Sequence, residues 1–393
     1  MVIFKLALRN IIGAGLRTWL NVLVLSLAFV AIIWTQGLLD GMNQEVMTTM
    51  IDMEYGGGQF WHQSYDPYDP LTLEDAHALL SPLLAALIAK GQATPILVTS
   101  GAIYPEGRMQ TVQIKGTDPN QTITQLPSEV LKTEEPDVIP ALIGSRMAKQ
   151  TKLQVGDYVT ARWRDVHGTF DATDFKIVQI MNTTAQSVDS GIIWIPLQTL
   201  QNLLQAPGQA TVVTVAKNMK DIPSGDSLWV FRDHSYLLED IITLVRNKTV
   251  GSSIMYVFLL FLGLLAIFDT QVLAIFRRRK EMGTLMALGM PRGKVIGLFT
   301  LEGALHGLLA LVVGAIYGIP LLWLSAVTGM TFPQETMDQM QLALPTTLYP
   351  TYGVPLVVGT VLLVLVTVTI VSFMPTRRIS KLKPTDALRG KLA

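Results

Sequence analysis

Residues 251–294 read GSSIMYVFLLFLGLLAIFDTQVLAIFRRRKEMGTLMALGMPRGK, and this order of textures decides the class of the protein. A run of 26 residues with Asp269 as its only charge gives way at once to Arg277, Arg278, Arg279 and Lys280, and then to a Gly-Met-Pro-Arg-Gly turn. A helix needs about 20 apolar residues to cross a hydrocarbon core. Three further stretches reach that length: 19–39 and 354–374, which carry no charge, and 295–327, which contains Glu302 and His306. Half of the 393 residues are hydrophobic, mean hydropathy is +0.40 and only 15% are charged, against about 25% in soluble globular proteins. The absence of cysteine excludes a disulfide framework, a thiolate metal site and a Cys nucleophile. A cleaved signal peptide competes for 19–39, but the run is longer than an h-region of about 7–15 residues and no A-x-A-like site follows, so it reads as a retained anchor.

Lys and Arg near span ends set the orientation. Segments 1–18, 277–294 and 375–393 hold 15 of the 30 basic residues with only Glu281 and Asp386 as acids, although the whole chain sums to zero. These segments are expected inside, with both termini, and 40–250 and 328–353 outside. A net charge of zero offers no basic field for nucleic acid. Residues 1–18 place Phe4, Leu8, Ile11 and Ile12 on one helical face, as in an interfacial helix. The predicted fold class is a polytopic α-helical membrane protein with four transmembrane helices, one and then three, and a large mixed α+β extracytoplasmic domain between the first two.

Within 40–250 the apolar runs are shorter and turn residues frequent. Thr72 and Asp75 are spaced as a capping box ahead of Leu79, Leu80, Leu83, Leu84, Leu87 and Ile88, which predicts an amphipathic helix ending near Gly91. β-branched runs predict strands at 96–104, 109–115, 157–163, 176–181, 191–195 and 211–216. A helix over 235–250 leads straight into the second span. Gly56, Gly57 and Gly58 precede the aromatic residues Phe60, Trp61, Tyr65 and Tyr68, which are read as interfacial or core-packing rather than ligand-binding.

Catalytic motifs are missing. The segment from Gly289 to Lys294 has one residue too few for a phosphate loop, and Val295 stands where Ser or Thr would hold magnesium. The five histidines form no HExxH and no pair at helical spacing, and there is no G-x-S-x-G elbow. The chain is therefore expected to be non-catalytic, with no metal of its own.

The stretch from Phe276 to Val295, followed by Glu302-Gly303, resembles the signature of ABC-transporter permeases of the FtsX/MacB/LolC-E superfamily, with Arg279, Glu281, Gly283, Leu288, Gly289 and Glu302 at its characteristic places. The tail from Pro375 to Arg389 is similar to the terminal Pro-x-x-Ala-Leu-Arg pattern of that superfamily. In the outer segment, Ile143 to Ala148 with Leu153 to Asp157, and Gly116-Thr-Asp-Pro119, resemble its G-x-x-x-A and L-x-V-G-D turns. Gly41-Met-Asn-Gln-Glu-Val and Gly57-Gly-Gln-Phe are most similar to lipoprotein-releasing permeases of the LolC/LolE type.

The resemblance implies a permease paired with itself or a sister permease, driven by two copies of an ATP-binding subunit that holds ATP and magnesium, in the bacterial inner membrane. It implies work on a membrane lipid or lipoprotein at the outer side, with a periplasmic carrier or adaptor as a further partner; MacB-like efflux and FtsX-like regulation of an outside hydrolase are the alternatives. On this reading the loop 277–294 is a coupling helix. Met282, Leu285, Met286 and Leu288 contact the ATPase groove, Arg277, Arg278, Arg279, Lys280 and Glu281 form ion pairs at its rim, and Gly289 belongs to the Leu-Gly pair of the coupling signature. Asp269, Glu302 and His306 are costly in lipid, at about 2.5–3.5 kcal/mol for Asp on insertion scales, and are expected to face protein or water.

Overall fold

The computed structural model describes residues 15–132, 135, 138–183, 186–189, 191–219, 222, 226–277, 284, 286–331 and 347–379. The expected interfacial helix lies outside them up to residue 14, as do 278–283, 285 and the tail beyond 379. Two compact units divide the chain, one of 44–244 with 333–346 and one of 1–43, 245–332 and 347–393.

In chain order, helix α1 (Leu16–Met50) passes into a π-helical turn (Ile51–Tyr55) and then strand β1 (Gln59–His62). A 3-10 turn (Pro70–Glu74), β2 (Ala78–Leu79), α2 (Pro82–Ala89), β3 (Ala93–Ile103), β4 (Gln110–Thr117), β5 (Ile139–Gly144) and α3 (Ser145–Thr151) follow. Then come β6 (Tyr158–Arg164), β7 (Phe170–Met181), α4 (Gln186–Asp189), β8 (Ile192–Pro196), α5 (Leu197–Leu203), β9 (Gln209–Ala210), β10 (Val212–Val215), β11 (Trp229–Arg232) and α6 (His234–Leu237). Three long helices complete the chain: α7 (Glu239–Arg277), α8 (Arg292–Thr328) and α9 (Val354–Ile379), with a small hairpin of β12 (Met330–Thr331) and β13 (Thr347–Leu348) between the last two.

In the helical unit, α1, α8 and α9 are long and apolar enough to cross a membrane, and the fourth expected span, 251–276, lies within α7, whose apolar stretch Ser253–Leu265 is shorter. At 1.5 Å per residue, α8 with its 37 residues is about 55 Å long. Val22, Leu25, Phe29, Val30 and Ile33 of α1 pack with Leu260 and Leu264 of α7, Ala310 of α8 and Val364 and Val368 of α9. In lipid, where helices gain little from hydrophobic association, contact depends on close approach at small residues. Gly307 faces Val368 and Leu365, while Gly314 and Gly318 face Ser26, Phe29 and Val30.

The other unit is built on a nine-stranded sheet in the order β11-β1-β10-β3-β4-β8-β5-β7-β6. Strand β3 serves twice: Ala93 to Ile96 pair with β10, whereas Gly101 to Ile103 pair with β6. The second pairing closes β3, β4, β8, β5, β7 and β6 into a barrel, filled by Ile103, Ile114, Ala141, Ile143, Trp163, Phe175, Ile177 and Ile193 and capped by Leu200 and Leu204. Strands β10, β1 and β11 extend the sheet beyond the barrel. The mixed α+β expectation is met for this unit.

The helix expected after Thr72 begins later. Ser81, not Thr72, is its cap: the Ser81 hydroxyl accepts the Leu84 N–H, Pro82 occupies the first turn, and Leu79 is in β2 against Gln209. Thr72 instead donates its hydroxyl to the Asp69 carbonyl at 2.8 Å inside the 3-10 turn. Gly91, at φ +67°, ends the helix region as expected.

Candidate functional site

The chain leaves α1 through the π-helical turn, and the three glycines reverse it into β1. Gly56 has φ +54° and Gly58 φ +126°, which side chains disfavour, and a Cβ on Gly57 would strike the Ala216 carbonyl. π-turns cluster at functional sites, and this one carries Glu54 into the sheet. Lys115 of β4 donates to Glu54 Oε1 at 2.6 Å, with 7% and 9% of the two side chains exposed, and its Nζ lies 5.3 Å from the centre of the Trp194 ring. Beside the pair, Gln59 donates to the Glu54 carbonyl and to Thr214 Oγ1, both at 3.1 Å, and accepts from Trp61 Nε1 at 2.8 Å.

These side chains form part of the wall of a cavity of about 840 Å³ in this unit, within the range of about 300–1,000 Å³ of ligand sites. Ile96, Val98 and Ser100 of β3 supply one strand of its floor, on alternate positions of one face. Its walls come from 63–70 and from 232–240. Trp61 meets Tyr65 edge-on at 4.9 Å and Tyr236 edge-on at 5.7 Å, and the Arg232 guanidinium lies 4.1 Å from the Tyr236 ring centre. The Tyr68 hydroxyl donates to Asp240, joining the two walls. Burial, then the Glu54 and Asp66 carboxylates, raise the Tyr65 hydroxyl far above its usual range, so it remains a donor. Around the start of α6, Asp233 accepts from the Ser235 hydroxyl and the Tyr236 N–H, which holds its carboxyl below the usual value.

Of the aromatic cluster singled out in the sequence, Phe60 is core, packed with Leu84 and Trp229, while Trp61, Tyr65 and Tyr68 face the cavity. Glu54, Lys115 and Arg232 escaped the sequence reading, and Gln59 entered it only within the Gly57-Gly-Gln-Phe resemblance; a Glu soon after a span beside a glycine triplet was the available signal.

Of the expected coupling residues, Arg278, Arg279, Lys280, Glu281, Met282 and Leu285 lie outside the described residues, and Arg277 ends α7. Met286 packs with Met290 against Val295 and Phe299 at the base of α8, whereas Leu288 is 80% exposed. Gly289, at φ +93°, donates its N–H to the Met286 carbonyl at 3.1 Å and turns the chain toward Pro291, the residue ahead of α8. Glu302 and His306 are buried one turn apart on α8, with His306 Nδ1 2.8 Å from the Glu302 carbonyl. Asp269 is exposed on α7. Among the described residues no group of His, Asp and Glu is arranged to hold a metal ion.

Residues 18–224 match the family described as the MacB-like periplasmic core domain, and residues 253–384 match the FtsX-like permease C-terminal family. The chain is also similar to the lipoprotein-releasing system transmembrane protein LolC of Xylella fastidiosa, in strain Temecula1 and in strain 9a5c. Identity to each is 22%, over 94% of this chain and 92% of the relative.

Proposed function

The chain belongs to the MacB-like periplasmic core domain family, and from this premise we propose that it uses the ATPase cycle of a partner to extract a lipoprotein or lipid at the outer face of the bacterial inner membrane. As an ABC-transporter permease of the FtsX/MacB/LolC type it is a non-catalytic membrane subunit that works with an ATP-binding subunit. The further assignments are ours: two ATP-binding copies carrying ATP and magnesium, a second permease protomer, four spans with both termini cytoplasmic, and an outer unit that meets a periplasmic carrier. The observation that carries the proposal is the order of parts, with the whole mixed α+β unit inserted between an apolar helix and an FtsX-like helical segment. The relatives named for lipoprotein release span nearly the full chain, which supports that cargo over efflux.

In this mechanism closure of the ATPase dimer pushes on the 277–294 loop. Leu288, apolar and exposed, supplies the contact, and Met286 ties the loop to the base of α8 so that the push reaches that helix. α7 begins at Glu239, beside the cavity wall, and continues to Arg277, and we assign to it the link between the loop and the outer unit. A second protomer covers Asp269. The test is the complex co-purified with its ATP-binding subunit and placed in proteoliposomes. Leu288→Asp is expected to lower substrate-stimulated ATP hydrolysis and release of acylated protein at least tenfold without changing membrane insertion. Release at the unaltered rate, or purification without any ATP-binding subunit, would break the proposal.

A further inference from the structure

We propose that the cavity of the outer unit is a binding site for a short saccharide, a role separate from the transport reaction and independent of the ATPase. Its wall combines the aromatic rings of Trp61 and Tyr65 with planar hydrogen-bonding groups, among them Gln113 and Arg232, the last stacked on Tyr236. Arg232 Nε is buried without a hydrogen-bond partner, and the guanidinium has no carboxylate partner among the described residues. Ser100 and Gln113 are register partners on β3 and β4 and both line the cavity. Asp66, Glu239 and Asp240 stand exposed at the rim.

A pyranose ring suits this mixture. Its C–H faces pack on aromatic rings, whose faces are electron-rich. Its hydroxyls both donate and accept, so they complete a guanidinium, an amide and a carboxylate without adding charge. Other chemistries meet opposition here. An alkyl chain would strip water from Arg232, Gln113 and Ser100 and return no hydrogen bond. An anion would approach three rim carboxylates, and Lys115 is already committed to Glu54. A cation is drawn to the rim carboxylates but finds the face of Tyr236 already taken by the Arg232 guanidinium.

The test uses the full chain in a detergent without a sugar headgroup, titrated with maltotriose, cellotriose and the N-acetylglucosamine trimer and followed by calorimetry and tryptophan fluorescence. At least one trisaccharide is expected to bind at millimolar or lower concentration without nucleotide. Trp61→Ala and Arg232→Ala should each weaken binding at least tenfold, while Trp61→Phe, which keeps a ring, should stay within about threefold and show that loss of the platform rather than of the fold is responsible. Myristate and spermine serve as apolar-anionic and cationic counter-probes. Absence of saccharide binding, binding indifferent to both alanine variants, or Trp61-dependent binding of a counter-probe in place of a saccharide would overturn the assignment. Since no step involves ATP, failure here leaves the permease reading untouched, and failure of coupling at Leu288 leaves this one standing.

Discussion

The two units satisfy their polar side chains over very different distances along the chain. In the helical unit most of the described hydroxyl bonds turn back on their own helix, as when Thr35 donates to the Ala31 carbonyl, Thr360 to Leu356, Thr369 to Leu365 and Thr376 to Ser372, while a few, such as Tyr317 with Ser26 and Ser325 with Tyr352, cross between helices. In the outer unit the corresponding bonds join distant segments, as in Lys115 with Glu54, Gln59 with Thr214 and His234 with the Gly56 carbonyl. Lipid provides no partner for a stray polar group, so local satisfaction is the safe solution there. In the outer unit the long-range polar bonds specify which segments meet. Substitutions should accordingly be felt through lost partners in one unit and through lost shape in the other.

The largest effect is expected at Lys115. Lys115→Met removes the buried ammonium that donates to Glu54 and should cost about 3–5 kcal/mol as the breaking of a buried pair, whereas the double variant with Glu54→Leu should recover most of it; denaturant unfolding of the purified chain would decide, and a mild single-variant effect would break the contrast. Next is Gly318→Leu, whose added bulk meets Val30 and should cost about 1–3 kcal/mol as overpacking, read as a lower thermal midpoint in bilayers. Smaller again is Ser26→Ala. It removes the acceptor of the Tyr317 hydroxyl, a bond of 3.2 Å between α1 and α8, and about 0.6 kcal/mol is expected; a cost near that of Lys115→Met would mean that the helical unit also relies on long-range polar bonds.

The finest test is of pH. Burial, then the nearby His77, holds the His62 imidazole below its usual value of 6.5. The folded state therefore binds fewer protons than the unfolded one, and its stability, complete above pH 6.5, declines as pH falls below it. Neutral His62 accepts the Ser64 N–H at 3.3 Å through Nδ1, which an Asn carbonyl can imitate. His62→Asn should flatten the decline in thermal midpoint between pH 7 and 5, and an unchanged slope would place its origin elsewhere.

Local patterns made some parts of the molecule legible and hid others. Strand β6 alternates buried Val159, Ala161 and Trp163 with exposed neighbours, and such a period-two signal can be read in one pass. Strand β5 could not be read, because Pro140 and Gly144 look like breakers. Only Leu142 and Ile143 pair with β8, so the N–H that Pro140 lacks is not missed on that side. β1, of four residues, is too short to show a period. The cavity was the least legible part, since Glu54 and Lys115 acquire meaning only once the sheet has brought them together.

The extension of the sheet also sets an order of events during biosynthesis. Phe60 pairs with Val213 on one side and Phe231 on the other, so β1 has no neighbour until about 150 further residues have been made. At about 5–20 residues per second, that leaves it unpaired for roughly 8–30 seconds. Both partners emerge before α7 begins at Glu239, so completion of the sheet and arrival of the next long helix fall close together in time, and a chain stalled earlier presents an unpaired strand to whatever is nearby.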